Sequence, residues 1–282
     1  MLVGCYQCEV IPGDFEANLA TVLKALRAAE AREVEILALP ESLLTGYYED
    51  GARARANSFA LDSPQVARLL KETRGFDSAF MVGFNERRGE ELYNTVLVAE
   101  RGELLGTYSK AFPCYDYFTP GREFPVFERK GLKYGVIICA DGAFIEPARI
   151  LALKGARLIF APHYNYLRPS WVVVHYQMVR QDHMARAREN GVWFLRANTV
   201  GGDRDEGMGF SGVGYGDSYL LDPFGQMTAH AGWHTEGLMV GEVHLERRFF
   251  PEPAFESRLS GMRLLAPLAE ALDPEQHEKP GA

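Results

Sequence analysis

The segment from Gly135 to Gly142 reads GVIICADG, a run of apolar residues that ends on a cysteine. A short apolar run closed by turn-forming residues is typical of a strand buried in an α/β sheet. Cys139 ends that run, and Asp141 and Gly142 favour a turn directly after it. Cys139 is therefore either a small residue that fills the core or a nucleophile presented at a strand end.

Apolar residues elsewhere alternate between the spacing of strands and the spacing of helices. The pattern predicts strands at 2–10, 35–39, 79–84, 132–139, 157–161 and 192–197, and a hairpin around Arg101-Gly102. It predicts helices at 15–32, 63–74, 146–154 and 170–189. Strands that alternate with helices, together with a hairpin, predict an α/β sandwich with mixed sheets.

The chain is expected to form one domain, residues 1–246, and a C-terminal tail, residues 247–282. The tail carries one amphipathic helix, SGMRLLAPLAEAL, and several phenylalanines and leucines. Because so apolar a segment usually marks a contact, we predict that the tail packs along the interface of a homodimer. The alternative is a tail that folds back on its own domain.

Composition excludes several functional classes. The net charge is -8 and no basic stripe is present, which argues against nucleic acid and anionic membranes as partners. No run of 18 apolar residues and no secretion signal is found, so we expect a cytoplasmic protein. Cys5 and Cys8 have the C-x-x-C spacing of metal and redox sites, but they lie in a predicted strand on opposite faces. We interpret both as core residues.

Three predicted strands end on reactive side chains: EILALPE on Glu41, ELLGTYSK on Lys110 and GVIIC on Cys139. Strand ends are where α/β folds place their sites, because the sheet holds the side chains rigidly. The three groups complement one another chemically. A thiol needs a base and a nearby positive charge to attack, and an ammonium also stabilises the oxyanion that grows on an attacked carbonyl.

The segments around these residues resemble the nitrilase superfamily, the carbon–nitrogen hydrolases that use a Glu-Lys-Cys triad. The resemblance covers about residues 2–245 and rests on ALPESLLTGYY, GTYSKAFPCYDYFTPG, GVIICADGAFIEPARILALKGARLIFAPH, MARARENGVWFLRANTVGG and GDSYLLDPFGQ. It implies a four-layer α-β-β-α sandwich, a homodimer paired through the helices near Glu146 and Ser170, and hydrolysis of a small amide-type or N-carbamoyl substrate. No metal or other cofactor is needed for that chemistry.

The resemblance assigns roles to the three residues: Cys139 as nucleophile, Glu41 as general base and Lys110 as oxyanion stabiliser. The backbone N–H of Ala140 is expected to join Lys110 at the oxyanion. Cys139 would attack the carbonyl, a thioester would form, and water activated by Glu41 would release the acid. Glu146 and Arg149, which follow the cysteine, are interpreted as an ion pair that holds the turn.

Two positions depart from the family pattern. The family usually has an aromatic residue directly after the cysteine, where this chain has Ala140, so the pocket should be wider there. The family often has a second glutamate in the loop after the lysine, and the nearest acid here is Asp116, a candidate second active-site acid. Tyr47 and His163 follow strands EILAL and RLIFA and are candidates for the pocket wall.

Other hypotheses stay open at this point. His163 could act as the base of a Cys-His hydrolase, a zinc hydrolase lacks its usual histidine motif, and the chain could be a silent binding subunit of the same fold. The substrate is equally open. Arg168 would suit a carboxylate-bearing substrate, whereas Glu49 and Asp50 would suit an amine-bearing one.

Overall fold

The computed structural model describes residues 1–204 and 209–244. Its helices are α1 (Phe15–Glu30), α2 (Gly51–Ala56), α3 (Pro64–Thr73), α4 (Ile145–Leu153) and α5 (Val172–Asn190). Its strands are β1 (Leu2–Glu9), β2 (Ile36–Ala38), β3 (Ala79–Arg88), β4 (Glu91–Glu100), β5 (Glu103–Ser109), β6 (Val126–Arg129), β7 (Leu132–Val136), β8 (Leu158–Pro162), β9 (Tyr166–Leu167), β10 (Trp193–Ala197), β11 (Thr199–Arg204), β12 (Gly212–Tyr215), β13 (Tyr219–Leu221), β14 (Met227–His230) and β15 (Gly237–Glu242).

The strands of the described residues form two sheets. The first has the order β5-β4-β3-β2-β1-β11-β12-β9, with β15 also paired to β1, and the second has the order β14-β13-β10-β8-β7-β6. Both sheets are mixed: β1, β2 and β3 run parallel, as do β7, β8 and β10, while the hairpin β3–β4–β5 is antiparallel. The predicted α/β class with mixed sheets is confirmed.

Successive residues along each strand pack on opposite faces of its sheet. In β8, Ile159 and Ala161 join a cluster with α4 and α5, while Leu158 and Phe160 are buried on the other face. In β2, Leu37 belongs to the cluster that includes residues of α1 and α3. Because side chains of a strand alternate between faces, each sheet is covered by helices on one side and buried on the other. The layers are therefore α-β-β-α, as predicted.

Local chemistry explains the ends of the helices. The side chain of Asp14 accepts a hydrogen bond from the N–H of Ala17 at the start of α1, and Ser63 does the same for Val66 at the start of α3. Gly191 ends α5 in the left-handed conformation, with φ of 64°. No helix among the described residues is long and apolar enough to cross a membrane.

Cys5 and Cys8 are both fully buried in β1, as expected of core residues. Cys8 belongs to the cluster under α1, and Cys5, three residues away, points to the opposite face. Burial raises the pKa of the Cys5 thiol to about 12, so it stays protonated. The tail, residues 247–282, lies outside the described residues, and its predicted place at a dimer interface stays a prediction.

Candidate active site

Glu41 follows β2 in the middle of the first sheet, and every contact of its side chain comes from a hydrogen-bond donor. Its Oε1 accepts from Nζ of Lys110 at 2.8 Å and from Nδ2 of Asn94 at 2.6 Å. Its Oε2 accepts from the backbone N–H of Tyr164 at 2.8 Å. The side chain is 1% exposed. A carboxylate held by donors on both oxygens keeps one orientation, which is what a general base requires.

Lys110 follows β5 at the edge of the same sheet. Its N–H donates to the carbonyl of Asn94 over 2.8 Å, and its Nζ lies 2.8 Å from Glu41 and 3.7 Å from Sγ of Cys114. Burial is the largest single influence and disfavours the ammonium, but Glu41, followed by Tyr47, Cys139 and Cys114, together raise the pKa of Lys110 well above its usual value. Lys110 is therefore a fixed positive charge and cannot serve as a base.

Cys139 begins a short 3-10 helix, Cys139–Ala143, three residues after β7 ends at Val136. Its φ is 47°, a left-handed conformation that is rare outside glycine, so the backbone turns sharply at the thiol. Nδ2 of Asn165 lies 3.6 Å from Sγ. Burial, followed by the charge of Glu41, raises the pKa of the thiol, although Lys110 opposes the shift. The resting group is thus a thiol that needs a base to attack.

Asp141 holds this turn in place. Its Oδ2 accepts hydrogen bonds from the N–H of Ile138 at 2.9 Å and from the hydroxyl of Tyr108 at 2.7 Å. Its Oδ1 accepts from the N–H of Phe112 at 2.8 Å. Phe112 and Tyr108 flank Lys110 in sequence, so one buried carboxylate joins the lysine segment to the cysteine turn.

The interpretation of Glu146 and Arg149 as the pair that holds this turn is wrong. Glu146 is exposed at the start of α4, and among the described residues it makes no ion pair with Arg149. Nη1 of Arg149 is buried without a hydrogen-bond partner in those residues. The two groups lie three positions apart on a helix, but only one of them faces inward. Asp141 carries the role instead.

A buried arginine that the sequence analysis missed orients Asn165. Nη2 of Arg196 donates to Oδ1 of Asn165 over 2.5 Å and to the hydroxyl of Tyr215 over 2.8 Å. Arg196 is fully buried near the C-terminal end of β10. Since its guanidinium fixes the amide oxygen, the Nδ2 of Asn165 must point the other way, toward Cys139. A charged residue inside an apolar strand (WFLRA) was the signal that could have identified it.

Glu41 and Cys139 open into one cavity of about 290 Å³ between the sheets and α5. The other residues around it are Tyr47, Cys114, Tyr115, Ala140, Ala143, His163, Tyr164, Asn165, Tyr166, Leu167, His175, Met178, Val179, Asp182 and His183. Ala140, Tyr47 and His163 thus line the cavity, where the sequence analysis placed them. The hydroxyl of Tyr47 is buried and has no hydrogen-bond partner among the described residues.

Asp116 does not lie at the cavity. It is exposed, and the loop after Lys110 brings Cys114 next to the ammonium instead. The carboxylate of Glu41 is the ion-pair partner of Lys110. The proposed second acid at Asp116 therefore gains no support from its position, because its side chain is exposed and does not line the cavity.

His163 lines the cavity but is poorly placed to act as a base. Its Nδ1 lies 2.8 Å from the carbonyl of Ala161, and burial with the charge of Arg196 holds its pKa well below the usual value. Its ring contacts His183, another neutral histidine, with 5.0 Å between centroids. The hydrogen-bond partner of the Cys139 thiol is Asn165. This arrangement favours Glu41 over His163 as the base.

Histidine, cysteine and carboxylate side chains are also the usual ligands of metal ions. Among the residues that the structure describes, no three histidine, cysteine, aspartate or glutamate side chains come together in a way that could hold a metal ion. The lysine ammonium, 2.8 Å from Glu41, would also repel a cation at this point.

Comparisons with known proteins agree with this site. The model of the carbon-nitrogen hydrolase family matches residues 2–248. The chain is 32% identical to an N-carbamoylputrescine amidase of Solanum tuberosum over 83% of both chains. It is 33% identical to an (R)-stereoselective amidase of a Pseudomonas species over 78% of this chain and 77% of the relative.

A solved amidase from Nesterenkonia sp. AN1, 24% identical, shares the fold with a TM-score of 0.73, over 93% of this chain and 98% of that one. That structure is of a glutamate-to-glutamine mutant of the amidase, in which acrylamide has added to the active-site cysteine. The chain belongs to the carbon–nitrogen hydrolase family and is an enzyme that hydrolyses carbon–nitrogen bonds. The resemblance to the nitrilase superfamily is confirmed.

Proposed function

We propose that the protein is a cysteine-dependent amidase that acts on amide or N-carbamoyl substrates through a thioester. The observation that carries the proposal is that Glu41, paired with the buried Lys110 at 2.8 Å, lines the same cavity as Cys139. A base, a fixed positive charge and a thiol are the groups that acyl transfer to sulfur requires.

Glu41 carries the proton in both halves of the proposed reaction. Sγ of Cys139 attacks the carbonyl carbon while Glu41 takes the thiol proton, and the carbonyl oxygen becomes an oxyanion beside Lys110 and the N–H of Ala140. Glu41 then gives the proton to the leaving nitrogen as the carbon–nitrogen bond breaks, which leaves the thioester. Water, deprotonated by Glu41, attacks the thioester, and the proton returns to sulfur as the acid departs.

The charges of the pair explain why Lys110 matters most during reaction. At rest, its ammonium is balanced by the carboxylate of Glu41. When Glu41 takes the thiol proton, that balance is lost and the positive charge becomes available to the oxyanion. The lysine therefore stabilises the tetrahedral state more than the ground state, which is the condition for faster turnover.

The test is ammonia release from a panel of simple amides, N-carbamoyl amines and nitriles by the wild type and Cys139→Ala. We expect turnover of amides or carbamoyl compounds by the wild type alone, with a mass increase on Cys139 when the reaction is stopped. Cys114→Ser is the matched control, a second cysteine at the same cavity whose loss should leave most activity. Turnover by Cys139→Ala above about a tenth of the wild-type rate would contradict the thioester route.

We also propose that the enzyme is a homodimer paired through α4 and α5. Large apolar side chains are exposed on or next to these helices: Phe144, Ile145, Leu153, Trp171, Val173, Val174 and Met178. An apolar face of this extent usually marks an interface. Val174→Asp should give a monomer in sedimentation, whereas Leu105→Asp, at an exposed site on β5, should not. A Val174→Asp protein that stays dimeric would contradict this pairing.

A further inference from the structure

One face of α5 forms a wall of the catalytic cavity. The residues of that face are His175, Met178, Val179, Asp182 and His183. Their spacing is that of a single helical stripe, i, i+3, i+4, i+7 and i+8. In a surface helix such a stripe is normally apolar, but here it contains one carboxylate. Asp182 therefore faces the same space as the Cys139 thiol.

The carboxylate of Asp182 makes no direct polar contact in the part of the chain that the structure describes. Among the described residues, its carboxylate accepts no hydrogen bond and forms no ion pair at contact distance. Arg186, one turn further along α5, attracts it electrostatically, but that guanidinium contacts the carbonyl of Gly142 and Oε1 of Glu189. A half-buried carboxylate without a partner is costly, so its position beside a substrate cavity calls for a functional explanation.

The remaining ionisable groups of the cavity leave this charge uncompensated. Glu41 is balanced by Lys110. Burial and the charge of Arg196 lower the pKa values of His163, His175 and His183, so the three rings are neutral at physiological pH. The carboxylate of Asp182 therefore favours the binding of a molecule that places a positive charge near it.

The size and polarity of the other residues in the cavity wall indicate what the rest of the substrate looks like. Ala140 and Ala143 are small residues of the cavity wall, and they leave room beside the thiol. Met178 and Val179 add apolar surface to the same wall, which suits methylene groups. The cavity therefore offers a thiol for an amide, apolar surface for a flexible chain and a carboxylate for a cation.

We propose that Asp182 is a specificity-determining residue that binds the ammonium group of an amide or N-carbamoyl substrate with a terminal amine. The proposal rests on the amidase function above and names the substrate class of that site. Arg168, Glu49 and Asp50, the charged residues that the sequence suggested for this role, do not line the cavity. Asp50 instead caps α2 through the N–H of Ala52, and the guanidinium of Arg168 lies over the ring of Phe210.

The experiment compares pairs of amides that differ by one group. Pentanamide, hexanamide and heptanamide are each paired with the isostere in which an ammonium replaces the terminal methyl, so that chain length is scanned. We expect the wild type to prefer the ammonium member of at least one pair by about 10-fold or more in kcat/KM, the range of a charged hydrogen bond. In Asp182→Asn the ratio of kcat/KM between the ammonium member and its neutral partner should fall to about 1, because the charge that distinguishes the two members is gone.

Two control variants sharpen the comparison. Asp182→Glu keeps the charge and should keep a preference, with the optimum moved to a shorter chain. Asp62→Asn removes an exposed acid outside the cavity and should change nothing. A wild type that shows no preference for the ammonium member at any length would overturn the proposal, and so would a preference that survives in Asp182→Asn.

Failure of the amidase function is distinguishable from failure of this inference. If neither member of any pair is hydrolysed, the amidase proposal fails, and recognition is then measured by calorimetry on Cys139→Ala. Binding of the ammonium members that disappears in the Cys139→Ala, Asp182→Asn double variant supports the role of Asp182. Equal binding of neutral and charged members by the Cys139→Ala protein contradicts it.

Discussion

The hydroxyl of Tyr108 donates to Oδ2 of Asp141 over 2.7 Å, and this bond joins the two segments that carry Lys110 and Cys139. Tyr108 lies in β5, two residues before the lysine, and Asp141 lies two residues after the cysteine. Both side chains are buried. The oxyanion-stabilising group and the nucleophile are therefore positioned relative to each other by the core of the sandwich as well as by their loops.

Removing this bond should lower catalysis without removing a reacting group. We expect Tyr108→Phe to reduce kcat by about 10-fold with little change in KM, and to lower the free energy of unfolding by about 1–2 kcal/mol. Tyr134→Phe is the matched control, since the Tyr134 hydroxyl is buried without a partner in the described residues and its loss breaks no bond. Equal kcat values in the two variants, measured on one amide, would show that Tyr108 is only structural.

Glu41→Gln should stop turnover while it preserves the shape of the site. The glutamine oxygen can still accept from Asn94 or Lys110, but the amide cannot take a proton from the thiol or from water. A loss of about 10²–10⁴ in kcat is expected, the usual contribution of a positioned general base. Glu86→Gln alters another buried carboxylate paired with a cation, Arg88, and should lower stability with little effect on rate. Retention of more than a tenth of kcat in Glu41→Gln would eliminate Glu41 as the base.

His175 should make the folded protein sensitive to acid. Burial, followed by the charge of Arg196, lowers the pKa of His175 from its usual 6.5 to about 4. The unfolded chain therefore binds a proton that the folded chain excludes, so stability is complete above about pH 6.5 and is lost as pH falls from there toward about pH 4. His175→Gln should flatten the decline of Tm between these limits, and His234→Gln, at an exposed site, should not. Parallel curves for the wild type and His175→Gln would refute the assignment.

The size of residue 140 should decide which acyl chains fit. Ala140 lines the cavity directly beside the nucleophile. In Ala140→Trp we expect kcat/KM for hexanamide to fall by about 10-fold or more relative to acetamide, because the indole fills space that the longer chain needs. The ratio of the two rate constants within one protein corrects for any general damage to the site. A ratio that does not move would mean that the chain binds elsewhere.

The catalytic candidates were predictable because each lies soon after the end of a strand whose apolar residues mark it in the sequence. EILAL, ELLGTYS and GVII are recognisable as strands, so the positions of Glu41, Lys110 and Cys139 at strand ends follow from local pattern. The layer order of the sandwich also follows from that pattern together with the family resemblance.

The supporting residues depend on tertiary contacts that no local pattern contains. Asn165 meets Cys139 across 26 positions of sequence, and Arg196 meets Asn165 across 31. The stripe of α5 that carries Asp182 mixes polar and apolar residues, so helical spacing of apolar residues could not indicate which face is inward. Glu146 and Arg149 illustrate the opposite error, a plausible local pair of which one member is exposed.

The backbone of Cys139 has a consequence for how the enzyme could evolve. A φ of 47° is unfavourable for every residue with a Cβ, and glycine alone adopts it without strain. Replacing the cysteine with glycine should therefore give an inactive protein whose free energy of unfolding is about 1 kcal/mol higher than that of its alanine counterpart. Selection for stability alone would remove the thiol from this position. The left-handed backbone at Cys139 therefore lowers stability while it presents the thiol to the cavity.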